Sequence, residues 1–294
     1  MNKRLFSHLS AIISAATRCK FELHRTTPVG GGSINKSSLI EDADGTRYFL
    51  KFNDEQHHAM FIAEAAGLDA IAATNTLRVP RVVVHGIAEG RSYLVLEYLQ
   101  LGSRGNAHLL GTQLAALHRC TARRFGFGQD NFIGATAQPN KWDDDWITFW
   151  HEHRLGFQLR LAAENGFGGE LQRSGARLLD ALPAFFKDYT PQPSLLHGDL
   201  WAGNHGFLSD GTPAVFDPAV YYGDRECDLA MTELFGGYPA EFYAAYRGAW
   251  PLDQGYETRR ELYNLYHILN HANLFGGSYV RQAGQIMLRL CASL

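Results

Sequence analysis

His197-Gly198-Asp199-Leu200-Trp201-Ala202-Gly203-Asn204, with Asp217 a hairpin's length further on, decides how the rest of this chain is read. Residues 205–208 have strand character, Ser209-Asp210-Gly211-Thr212 is a turn, and 213–216 returns. An antiparallel hairpin brings its two ends together, so Asn204 and Asp217 are expected side by side. A few oxygen ligands converging on one point suit Mg²⁺, which leaves its other positions to phosphates and water. Asp199, just upstream, is the expected base for a substrate hydroxyl. An aspartate that orients the nucleophile, with an asparagine and a second aspartate on the metal, is the template of phosphoryl transfer from ATP.

The other parts of that template occur upstream in the required order. Gly30-Gly31-Gly32-Ser33 joins two strand-like stretches, and glycines there let backbone N–H groups approach phosphate oxygens. No Gly-Lys-Ser/Thr follows, so this is not a Walker A loop. Lys51 lies on a strand between Leu50 and Phe52 and points to the opposite face from both. A lysine placed so is the expected partner of the α- and β-phosphates. Glu64, within the following apolar helix, is the expected partner of Lys51. Taken singly, each is as well explained as a solvated charge. Glu97-Tyr98-Leu99 is expected to offer backbone groups to the adenine.

Working outward, residues 5–16 carry Leu5, Leu9, Ile12, Ile13 and Ala16 at helical spacing, interrupted by Ser7, His8 and Ser14. That is an amphipathic helix and not a signal peptide, despite Lys3 and Arg4. Strands are expected over 34–40, 48–52, 81–87 and 93–98, with a helix over 57–73. Beyond residue 102 the pattern turns helical: 106–119, 146–163, 170–182, 239–250, 258–274 and 278–290, interrupted only by the 204–217 hairpin. The fold class is α+β, two-lobed and protein-kinase-like. A small antiparallel β-rich ATP-binding lobe (1–100) precedes a larger, mostly helical catalytic and substrate lobe (101–294), with the boundary near residues 99–102.

The bulk properties remove several function classes. A net charge of −3 without a basic run excludes sequence-independent attraction to nucleic acid. No stretch reaches the length of about 20 apolar residues that spans a membrane. Cys19, Cys120, Cys227 and Cys291 are too scattered for a zinc knuckle or redox pair and fit a reducing cytoplasm. His267 and His271 have zinc-competent spacing, but Ile268 stands where a metalloprotease has glutamate, and no third ligand is evident.

The acceptor is expected to be small. Gly198 precedes Asp199 where protein kinases have arginine, Pro218-Ala219 follows Asp217 in place of Phe-Gly, and no Ala-Pro-Glu follows. Asp228-Leu229-Ala230 arrives too soon for a long activation segment. Beyond these general kinase parts, HGDLWAGN and FDPAVYYGDRECDLAM (216–231) resemble the fructosamine (ketosamine) kinase family. So do DNFIGATAQPNKW (130–142), the aromatic pattern over 145–159, and LYNLYHILNHANLFGGSY (262–279). The resemblance, to a family related to aminoglycoside phosphotransferases, runs along nearly the whole chain. It implies ATP- and Mg²⁺-dependent phosphorylation of the sugar 3-hydroxyl of a ketosamine, as a free metabolite or on a glycated protein. Loss of the unstable 3-phosphate would then release the amine, a deglycation repair. Carried over by residue, it makes Asp199 the base, Asn204 and Asp217 metal ligands, and Lys51 and Glu64 the phosphate-anchoring pair. Ser33 stands where many relatives have cysteine, so a thiol switch at that loop is not expected.

Asp224 and Glu226 are candidates for the cationic amine of such a substrate, or else cap and brace the helix that begins near Cys227. Trp201 either stacks on a sugar face or packs beneath the catalytic loop. Asp228 is expected to hold that loop by hydrogen bonds. Two rivals remain: an aminoglycoside- or choline-type phosphotransferase, and a binding module without activity. The second requires a lost base or metal ligand, and none is lost.

Overall fold

Helix α1 (Lys3–Thr17) buries Leu5, Leu9 and Ile13, one residue per turn, and this stripe is the reason the segment folds as a helix. The structure, a computed structural model, describes residues 3–30 and 35–293. Contacts divide the chain into two compact units, Met1–Asn106 with Gly206–Asp217, and Ala107–His205 with Pro218–Leu294.

In the first unit a five-stranded antiparallel sheet follows α1. Its strands are β1 (Arg25–Val29), β2 (Lys36–Glu41), β3 (Arg47–Asp54), β4 (Val82–Ala88) and β5 (Arg91–Glu97), in the order β1-β2-β3-β5-β4. Helix α2 (His58–Ala73) connects β3 to β4. The residue alternation of a strand assigns the two faces. Leu50, Tyr93 and Val95 pack with Leu5, Leu9 and Ile13 of α1, while Lys51, paired with Leu94 across β3 and β5, points away from them. Two serines on the polar side of α1 fasten the chain that leads into the sheet. Ser10 Oγ accepts from Leu23 N–H and Ser14 Oγ from Phe21 N–H, both at 2.9 Å. The hairpin made by His205–Phe207 and Pro213–Val215 delivers residues 206–217 to this unit. Val215 N–H donates to Arg78 O, Gly102 and Phe207 exchange backbone bonds, and Asn106 N–H donates to Gly211 O.

The second unit is built on helices α3 (Ala107–His118), α4 (Trp146–Trp150), α5 (Gly156–Glu164), α6 (Glu170–Ala181), α7 (Glu226–Leu234), α8 (Ala240–Ala249), α9 (Tyr256–Phe275) and α10 (Ser278–Ala292). One core runs through it, with Trp146, Phe149, Trp150, Tyr263 and Met287 among its buried members. Two features depart from the sequence reading. The expected continuous helix over 146–163 contains a π-helical turn, His151–Leu155. Gly156 accommodates it, because a Cβ there would stand 2.3 Å from His151 O. The hairpin near 204–217 is also not alone. Asn131–Ile133 pairs with Thr136–Gln138, and Ser194–Leu196 pairs with Tyr221–Gly223. Strands of three residues carry too short a period-two pattern to read from sequence.

Candidate active site

In the β-rich unit, β3, α2 and the end of the 206–217 hairpin bring Lys51, Glu64 and Asp217 together. Lys51 Nζ donates to Glu64 Oε1 at 2.6 Å and to Asp217 Oδ1 at 2.5 Å. The lysine side chain is 7% exposed, Glu64 12% and Asp217 45%. Burial alone would lower the lysine's pKa, but the Asp217 and Glu64 carboxylates outweigh it and hold the ammonium charged. Burial raises Glu64 above the ordinary carboxylate range, against the pull of Lys51. Two carboxylates thus share one ammonium, which leaves local negative charge beside an open oxygen donor. Asp217 has φ +58°, left-handed backbone that aspartate tolerates better than most residues.

The other calls on this unit fall out unevenly. Gly31, Gly32 and Ser33 lie outside the described residues; Gly30 is exposed, directly after β1. Glu97 spends its carboxylate on Arg78 (2.6 Å) and Arg81 (3.3 Å) and its N–H on Arg81 O. Tyr98 and Leu99 follow it, half-buried and outside any strand.

In the helical unit, Asp199 and Asn204 are joined. Asn204 Nδ2 donates to Asp199 O at 2.9 Å and to Oδ2 at 3.2 Å. The amide group therefore fixes the aspartate while Asn204 Oδ1 is turned elsewhere. The loop that carries Asp199 is held from behind by Asp228. Its carboxylate accepts from His197 N–H (2.7 Å) and Gly198 N–H (2.8 Å) and pairs with His118 Nε2 (3.1 Å). His118 Nδ1 in turn meets Tyr246 OH at 2.7 Å. Burial would raise Asp228, but these donors, His118 first, hold its carboxyl below the usual range. Gly198 has φ +83°, and a Cβ would lie 2.1 Å from Ala219 O, so only glycine lets this loop approach the 219–221 segment.

That segment is clamped from the other side. Gln138 Nε2 donates to Ala219 O, Asn131 Nδ2 to Val220 O, and Tyr266 OH to Gln138 Oε1. Arg154, fully buried in the π turn, donates to Pro139 O and Asn140 Oδ1 and lies 3.9 Å from the centroid of Tyr221. His118 and Arg154 were missed in the sequence. A histidine at a helix end and an arginine in an amphipathic pattern carry no sign of burial. Asn131, Gln138 and Asn140 lie within the quoted 130–142 motif, but only their hydrogen bonds reveal what the motif does.

The placement of Asp224 and Glu226 corrects the sequence reading. Both are 0% exposed. Asp224 accepts from Tyr189 OH (2.9 Å), Tyr263 OH (2.5 Å) and Glu226 N–H (3.0 Å). Glu226 takes a two-pronged bond from Arg259, at 2.7 and 3.1 Å. With their oxygens occupied and no exposure, they brace the start of α7 and do not meet a substrate. Trp201 does the opposite. Its ring covers Gly203, lies edge-on to Phe235 and stays 38% exposed.

A buried lysine between two acids in a β-rich unit, and an aspartate on a braced loop in a helical one, are the parts expected of a kinase of the protein-kinase-like fold. The family described as fructosamine kinase matches residues 5–293. A "Probable ketoamine kinase" of Synechocystis is 49% identical over 288 residues, 95% of this chain and 94% of that one. A chloroplastic protein-ribulosamine 3-kinase of Arabidopsis thaliana is 43% identical over 263 residues, 88% of this chain and 80% of the plant protein. A crystal structure from Haemophilus somnus, assigned provisionally as a fructosamine-3-kinase, superposes with a TM-score of 0.88 at 30% identity, covering 97% of this chain and 99% of that one. The chain belongs to the fructosamine kinase family. It is a kinase of that type, which implies use of a nucleotide. Among the described residues no helix is long and apolar enough to cross a membrane.

Proposed function

We propose that this kinase phosphorylates the sugar 3-hydroxyl of ketosamines, fructosamine or ribulosamine, at the expense of ATP, and so starts their deglycation. The observation that carries this reading is Lys51 held between Glu64 and Asp217, in a chain whose curated relatives carry the names ketoamine kinase and ribulosamine 3-kinase. The donor set suits Mg²⁺-ATP: a fixed ammonium for phosphate oxygens, and carboxylate and amide oxygens for a hard cation.

In this reading Mg²⁺-ATP supplies the phosphoryl group and neutralises its charge. Lys51, steadied by Glu64, holds the α- and β-phosphates. Asp217 and the Asn204 side-chain oxygen would hold the metal, and the backbone N–H groups of Gly30, Gly31, Gly32 and Ser33 would serve phosphate oxygens. Glu97, Tyr98 and Leu99 offer backbone groups to the adenine. Asp199 takes the proton of the 3-hydroxyl as its oxygen bonds to the γ-phosphorus and the bond to ADP breaks. Trp201, exposed beside Asp199 in sequence, is the proposed surface for the sugar. Residues 1–100 serve nucleotide binding and 101–294 serve catalysis and substrate. The product carries phosphate on the carbon next to a ketone, from which it is readily eliminated, and hydrolysis of the remainder frees the amine.

The test is ADP release with Mg²⁺-ATP and, in turn, ribulosyl-lysine, fructosyl-lysine, kanamycin and choline, with Asp199→Asn as control. Release that depends on a ketosamine and disappears in the control is the expected result. Release with kanamycin or choline alone would overturn the ketosamine reading and keep the kinase.

A further inference from the structure

Asp228 holds only the start of the catalytic loop, through the N–H groups of His197 and Gly198. The far end of the loop has a second holder, Tyr238, which lies between α7 and α8. Its hydroxyl donates to Trp201 O at 3.2 Å, and its ring lies against that of His205, with centroids 4.4 Å apart and planes inclined at 36°. The tyrosine is itself rooted in α8. Its N–H donates to Tyr243 OH at 3.0 Å, and its ring meets that of Phe242 with centroids 4.7 Å apart. It is buried, and burial pushes its phenol well above the usual tyrosine range, so the hydroxyl remains a donor. Trp201 O is the hub of the loop. It also accepts from Asn204 N–H at 3.0 Å, the bond that closes the turn Ala202–Asn204. A carbonyl oxygen has two lone pairs, and Asn204 and Tyr238 occupy both. Trp201 N–H donates back to Asp199 O at 3.2 Å, and the Asn204 side-chain amide donates to Asp199 Oδ2, also at 3.2 Å. All of these residues belong to the helical unit.

We propose that Tyr238 is a positioning residue for phosphoryl transfer: its hydroxyl fixes Trp201 O and, through Trp201 and Asn204, the carboxylate of Asp199. The inference rests on the proposed role of Asp199 as the base. The ring and the hydroxyl of Tyr238 have separate uses. The ring packs against His205 and Phe242 and belongs to the fold. The hydroxyl is spent on a carbonyl that Asn204 N–H already satisfies, so the fold does not need it to avoid a stranded acceptor. What it adds is direction. With two donors the Trp201 carbonyl is held at one angle, and the turn that carries Asn204 is held with it. With one donor the turn is free to rock, and the Asp199 carboxylate moves with the amide that grips it. The start and the far end of the loop thus hang from Asp228 on α7 and from the chain just beyond that helix.

The test is a double-mutant cycle on turnover. It uses the full chain, saturating Mg²⁺-ATP and whichever of ribulosyl-lysine, fructosyl-lysine, kanamycin or choline the wild type phosphorylates fastest. Tyr238→Phe removes the hydroxyl and keeps the ring. It should turn over about 10-fold more slowly, short of the roughly 10²-fold that a full 1 Å misplacement costs, with KM for ATP unchanged. In an Asp199→Asn background the same change should cost nothing further, because a residue that acts through Asp199 has no effect once the base is gone. Should Tyr238→Phe melt well below the wild type, the cycle still decides, since a loss of fold is common to both backgrounds and cancels in the coupling. Wild-type turnover in Tyr238→Phe overturns the proposal and leaves Asp199 as the base. An equal loss in both backgrounds also overturns it. Near-normal turnover of Asp199→Asn removes the base itself, and the proposal falls with it.

Discussion

Asp217 and Asp224 are near neighbours in sequence and opposite in circumstance. Asp217 closes the 206–217 hairpin with a side chain 45% exposed, on left-handed backbone, sharing Lys51 with Glu64. Asp224 is fully buried and receives two phenol hydroxyls and a backbone N–H. In the β-rich unit two carboxylates share one ammonium, and one of them stays accessible to solvent. In the helical unit every carboxylate near the start of α7 is answered by donors, and nothing is left to offer. Exposure and donor count separate the acid proposed to meet a ligand from the one that holds the fold, which distance along the chain does not.

That contrast can be broken by substitution. Asp199→Asn should lose about 10²–10⁴-fold in turnover, the usual worth of a general base, with nucleotide affinity little changed. Near-normal turnover would remove Asp199 from the role. Asp217→Asn should lose about 10²–10³-fold, as when one preorganised electrostatic group is deleted, while its melting temperature stays close to that of the wild type. Asp224→Ala should do the reverse. Each of the three buried donors it strands costs about 1–3 kcal/mol, so the melting temperature falls, while the folded fraction keeps most of its turnover. A large loss of turnover in folded Asp224→Ala would erase the distinction drawn between the two acids.

The smallest effect concerns His267, buried in α9, whose pKa is pushed down to about 3 by burial. The unfolded chain takes up this proton below about pH 6.5 and the folded chain does not. Stability is therefore full above pH 6.5 and is lost as pH falls towards 3, by up to about 1.4 kcal/mol per pH unit. Glu226, raised to about 7 by burial and by Asp224, acts with the opposite sign, its contribution declining as pH rises from about 4.5 to 7. The difference between wild type and His267→Gln isolates the histidine. Melting curves between pH 7 and 5 should converge on acidification, and a constant gap would contradict the assignment.

The sequence was most legible where a repeating pattern or a special residue type forces the outcome. The stripe Leu5–Leu9–Ile13 announces α1, and the apolar neighbours of Lys51 turn it away from the α1 side of the sheet. The pairing of Lys51 with Glu64 followed from their order along the chain. The misplacement of Asp224 and Glu226 has a physical reason. Acids close to a metal-binding segment look available until the phenols and guanidinium that surround them, drawn from Tyr189, Arg259 and Tyr263, are seen in three dimensions. His118 and Arg154 were hidden for the same reason. A side chain buried by distant elements leaves no local period. Composition suggested one cut near residue 100, and nothing in it signals that residues 206–217 return to the first unit.

That return has a consequence for how the protein is made. A ribosome that has released residue 106 has not yet released the hairpin to which Arg78, Gly102 and Asn106 bond. Nor has it released Asp217, the second acid on Lys51. At roughly 5–20 residues per second, the β-rich unit must wait for seconds, incomplete, until most of another domain's worth of chain has emerged. A gene truncated at the apparent boundary would leave it in that state permanently. Fusion partners, split reporters and truncated expression clones of this kinase should therefore be cut beyond residue 217 or not at all.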